Sequence, residues 1–85
     1  MEQEAINRFR QLTAVVPLNC HIFRRIDDRV ITLYLDFRTC PQELSVILKN
    51  YTLLARVSHQ LGLANSLVFT LGKRIIGWTN LTKND

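Results

Sequence analysis

The chain has 85 residues, 47% of them hydrophobic and 21% charged, with a formal net charge of +4. That is one domain of ordinary globular composition, just above the size at which disulfides, metals or a partner subunit become necessary, and it excludes disordered and fibrous classes. With no run near the ~20 apolar residues of a membrane span, an acidic start at Met1-Glu2-Gln3-Glu4 and only two cysteines, a cytoplasmic protein is expected.

Residues 2 to about 16 place Ala5, Phe9, Leu12 and Val16, with Ile6 beside them, on one helical stripe. Pro17 ends it, because the residue before a proline is pushed out of the α region. Residues 18–37 alternate as a β-hairpin. With Asp27-Asp28 as a two-residue turn, Leu18 faces Phe37, Cys20 faces Leu35, Ile22 faces Leu33 and Arg24 faces Ile31. All but the last of these pairs are apolar on both sides, the pattern of a buried face.

A second helix opens after Thr39 or Cys40, with Pro41 suited to the first helical position and Gln42 and Glu43 to the first turn. Leu44, Ile47, Leu48, Tyr51, Leu54, Ala55 and Leu61 make its main apolar face, and Val46, Leu53 and Val57 a second stripe. Gly62 followed by Leu63 reads as its stop. Residues 65–81 repeat the hairpin pattern around a Gly72-Lys73 turn, so that Phe69 faces Ile76, Leu67 faces Trp78 and Leu71 faces Arg74.

The expected fold is α+β in αββαββ order: one domain over residues 1–85, a four-stranded, mostly antiparallel sheet, and two helices on one face. The element order resembles that of the LAGLIDADG endonuclease core and, more loosely, small secretion-chaperone folds. The acidic endonuclease motif is absent, and element order alone conveys no function.

Chemistry-bearing clusters are sparse. Cys20, His21, Cys40 and His59 match no zinc spacing, and Cys20 and His21, adjacent on a strand, point to opposite faces. His59 follows Ser58 directly on a helix and does not face it. Cys40 at a helix start is the one hint of a reactive thiol, weighed against a capping or buried role. Gly72-Lys73 lacks the rest of a phosphate loop. The N-x-T triplets at Asn50 and Asn80 are read as chance in a cytoplasmic protein. No catalytic centre, cofactor or metal is expected.

The open sheet face is the informative surface. It is expected to carry His21, Phe23, Arg25, Val30, Tyr34, Asp36, Val68, Thr70 and Ile75. Of these Phe23, Arg25, Val30, Tyr34, Val68 and Ile75 are the candidate partner-binding residues, a mixture typical of a protein interface. The expected function is a non-catalytic binding or regulatory module working through protein–protein contacts as a homodimer. The alternative is a small basic regulator that stacks single-stranded nucleic acid on Phe23 and Tyr34. Against it, the cationic groups Arg24-Arg25-Arg29 and Lys73-Arg74 fall at opposite ends of the sheet.

Overall fold

A computed structural model describes residues 2–80. The expected end of the last strand at residue 81 and the Thr82 of the Asn80 triplet lie outside the described residues. Helix α1 (Glu2–Thr13) buries Ile6, Phe9 and Thr13, while Leu12 is exposed, so the buried stripe runs one position away from the expected one. The helix also stops a turn before Pro17. The Thr13 hydroxyl donates to the Phe9 carbonyl at 2.9 Å, and Ala14 adopts a positive φ of 58°. The Arg10 guanidinium donates to the carbonyls of Pro17 at 2.9 Å and Cys20 at 2.6 Å, fastening the outgoing loop to the helix. A planar fork is suited to holding two such acceptors.

Strands β1 (His21–Asp27) and β2 (Val30–Asp36) pair antiparallel with Asp27 opposite Val30, which places the turn at Asp28-Arg29 rather than Asp27-Asp28. The left-handed backbone falls on Asp28, at φ 55°, a conformation aspartate tolerates. Moving the turn by one residue slides the register by two, so Ile22 faces Leu35 instead of Leu33, yet each side chain keeps its face. Leu18 and Cys20 lie outside the strand, and Leu18 is 89% exposed instead of packed on Phe37.

The segment expected as one long helix is three pieces: a 3-10 turn (Pro41–Glu43), α2 (Leu44–Lys49) and α3 (Tyr51–Gln60). The break is at Asn50, whose side-chain amide donates to the Val46 carbonyl at 2.8 Å while its backbone N–H reaches only to Ile47. Such local bonding offers the backbone an alternative to the helical ladder. The stop at Gly62 forms as expected. Gly62, at φ 62°, donates to the His59 carbonyl and Leu63 to that of Ser58, the two bonds of a Schellman cap.

Strands β3 (Ser66–Leu71) and β4 (Arg74–Asn80) complete a four-stranded sheet in the order β1-β2-β3-β4. The two hairpins are antiparallel and the central pair, β2 with β3, is parallel. Asn65 pins the start of that pair: its side-chain carbonyl accepts the Ile31 N–H at 2.8 Å and its own N–H donates to the Ile31 carbonyl at 2.6 Å. One buried cluster holds Ile6 and Phe9 of α1, Ile47 of α2, and Leu54 and Val57 of α3, together with Ile22, Leu33, Leu35, Leu67 and Phe69 of the sheet. The second stripe expected on the long helix divides accordingly: Val57 is core, Leu53 packs against it, and Val46 is exposed. Among the described residues no helix is long and apolar enough to cross a membrane.

Candidate functional site

Residues directly opposite one another in a sheet share a face. The register therefore lays Phe23, Tyr34, Val68 and Trp78 in one row across all four strands. Its neighbour on one side is His21, Asp36, Thr70 and Ile75; on the other, Arg25, Thr32 and Ser66, where the hydroxyls of Thr32 and Ser66 are hydrogen-bonded at 3.0 Å. Val30 belongs to the same face.

Trp78 was not expected there. Thr70 pairs with Ile75 but Phe69 pairs with Gly77, so Ile76 is the extra residue of a β-bulge. The expected facing of Phe69 with Ile76 and of Leu67 with Trp78 does not form; Leu67 stands opposite Thr79. An inserted residue moves every later side chain to the other face. Gly77 is the only local signal, since glycine inside a strand pattern often marks a bulge.

The candidate partner-binding residues divide by exposure. Phe23 and Tyr34 are half-buried and stacked, with ring centroids 5.0 Å apart and planes 4° from parallel. His21 lies tilted against Phe23 at 5.3 Å, and the Arg25 guanidinium lies 5.8 Å from the Tyr34 ring centre. Val30 and Ile75 are exposed, as is Trp78 at 69%. Val68 is the exception: at 8% exposure it is buried within the row and offers no anchor of its own, although it is absent from the core cluster. Phe23, Arg25, Tyr34, Asp36, Lys73 and Ile75 border a shallow cavity of about 400 Å³ on this face.

The cationic groups gather only in part: Arg25 and Lys73, expected at opposite ends of the sheet, border this one cavity. Arg24 points away from Arg25 and donates to the Leu63 carbonyl at 3.0 Å, at the C-terminal cap of α3, so it leaves the expected cluster with Arg25 and Arg29. Asp36 is a positioning group. Its carboxylate accepts the N–H of Gly72 at 2.8 Å and of Arg38 at 3.2 Å, tying the end of β2 to the second turn. Burial would raise its pKa, but the hydrogen bonds from Gly72, Arg38 and Thr70 outweigh that and hold it below the usual carboxylate value.

Cys40 is the N-cap residue of the 3-10 turn, but its side chain makes no capping hydrogen bond and is buried. Burial is the largest influence on its thiol and raises its pKa, opposite to the depressed value a reactive thiol at a helix start would show. Compared with protein-family models, with curated proteins and with solved structures, the chain matches none.

Proposed function

We propose that the protein is a non-catalytic binding module that acts through protein–protein contact, first with a second copy of itself. The interface is the sheet face opposite the packed helices. The observation that supports this reading is the cross-strand row Phe23–Tyr34–Val68–Trp78, with Ile75 exposed beside it. Aromatic side chains anchor interfaces well, and each square ångström of apolar surface they remove from water is worth about 25 cal/mol. A two-fold contact uses the same patch on both subunits, so one row is buried twice. The cytoplasmic setting and the regulatory role that go with this reading rest on composition alone.

Single-stranded nucleic acid is the second reading, favoured by exposed Trp78 and by Arg25 and Lys73 bordering the shared cavity. It is weakened by the Phe23–Tyr34 stack, in which each ring already gives one face to the other and has less to offer a base. Sedimentation equilibrium tests the first reading. A dimer at micromolar concentration is expected, weakened by Tyr34→Asp and by Trp78→Asp, with helical content unchanged in both. A strictly monomeric mass at high concentration overturns it, and a dimer broken instead by a substitution at exposed Val46, Val46→Asp, moves the contact to the helices.

A further inference from the structure

The two cysteines are far apart in the chain and adjacent in the fold. Asn19 and Thr39, each immediately before a cysteine, hold the two segments side by side: the Thr39 hydroxyl donates to the Asn19 carbonyl at 2.6 Å, and the Asn19 amide to the Thr39 carbonyl at 3.4 Å. Arg10 fixes the same loop through the carbonyl of Cys20 itself. Both cysteines are 1% exposed and free, both belong to the one buried core cluster, and each thiol lies close enough to shift the ionisation of the other. Between them runs the whole first hairpin, β1 and β2. Cys20, Asn19 and Thr39 also line a cavity of about 440 Å³, which gives a small reagent a way in.

We propose that Cys20 and Cys40 are a disulfide-forming pair, closed by exchange with a small-molecule disulfide such as oxidised glutathione, and that the bond clamps the foot of the first hairpin. This stands independently of what the sheet face binds. The Cys40 thiolate attacks the oxidant, forming a mixed disulfide and releasing one glutathione thiolate. The Cys20 thiolate then attacks the Cys40 sulfur and releases the second. The two cysteine protons end on the released thiolates, so the cysteines are oxidised and one glutathione disulfide is reduced to two thiols.

Cys40 is the first attacker because burial raises its thiol less far than that of Cys20. Cys20 is the slower partner. Burial, then Cys40 and Asp36, push its thiol up to about 12 against the pull of Arg10. Burial, Glu43 and Asp36 raise Cys40 as well. Closure is therefore slow at neutral pH and accelerates with alkalinity, by roughly tenfold per pH unit for a thiol far below its pKa.

The test is to incubate the full chain with oxidised glutathione at neutral and alkaline pH, then map it by mass spectrometry without reduction. The expected product is a monomeric chain that has lost two thiol hydrogens, carries a Cys20–Cys40 linked peptide, forms faster at alkaline pH and melts roughly 10 °C higher. Cys20→Ala is expected to stop at a glutathione adduct on Cys40; if that variant fails to fold, the map of the unaltered chain decides. A lasting adduct on the unaltered chain, bonds only between chains, or two free thiols after alkaline incubation overturns the pair. A closed bond with an unchanged Tm overturns the clamp.

Discussion

Trp78 lies directly opposite Val68, and that single pairing decides which side of the sheet the indole occupies. Had it faced Leu67, the indole would have joined the core side. The extra residue Ile76 transfers it to the row of Phe23 and Tyr34, and the exposed face gains its largest side chain.

Deleting Ile76 tests the bulge. Removal of the extra residue is expected to make the β3–β4 ladder continuous while leaving Gly77 opposite Phe69 and Trp78 opposite Val68. As the chain's only tryptophan, Trp78 reports by fluorescence: water-like emission is expected in the dilute unaltered protein and in the deletion variant alike. A blue shift in a dilute, folded deletion variant would contradict this account of the register. Dimerisation of the unaltered chain predicts a blue shift as concentration rises.

Titration with single-stranded DNA at low salt separates the two functional readings. The dimer reading expects no saturable binding. Binding that falls steeply with salt, and that Trp78→Ala weakens by about 1–3 kcal/mol, would assign the face to nucleic acid instead.

Asp36 gives the fold an acid-sensitive joint. Its folded pKa is depressed, so its stabilisation is fully present above the unfolded value of about 3.9 and is lost as pH falls through the folded pKa. Asp36→Ala is expected to cost about 1–3 kcal/mol at neutral pH by leaving the Gly72 and Arg38 N–H groups without this acceptor. It should also flatten the acid limb of the stability profile measured by urea unfolding. A variant that keeps the acid limb of the unaltered chain would assign that limb to other carboxylates.

Gly62 separates backbone strain from crowding. Its φ is 62°, and a Cβ built on it meets nothing within 4 Å. Gly62→Ala should therefore cost about 1–2 kcal/mol through conformation alone, and Gly62→Asn should recover part of it. Thermal unfolding of the two variants checks the order; equal losses would point to a contact rather than to φ.

What the sequence made legible is what short-range chemistry decides. The Gly72-Lys73 turn and the Gly62 stop appear where glycine is needed for a positive φ, and alternation assigned Phe23, Tyr34, Val30 and Ile75 to the face they occupy. The slide of the first hairpin register escaped, because moving the turn by one residue preserves the alternation that was its only evidence. The break at Asn50 escaped because apolar spacing continues across it, and one side-chain bond to Val46 is invisible to periodicity. Trp78 was misplaced because a bulge leaves no pattern except Gly77. Val68 was placed on the correct face but not in the correct depth, since its burial depends on neighbours on other strands.

The parallel pairing of β2 with β3 separates this small sheet into parts that assemble differently. Each antiparallel hairpin closes over a turn of a few residues and needs nothing from the other. The seam between them joins Leu33 to Leu67 and forms only after the intervening helical segments have brought the strands together. The entropy of closing that long loop falls on one ladder. Asn65 and its paired bonds to Ile31 fix the alignment of that ladder at the point where β3 begins.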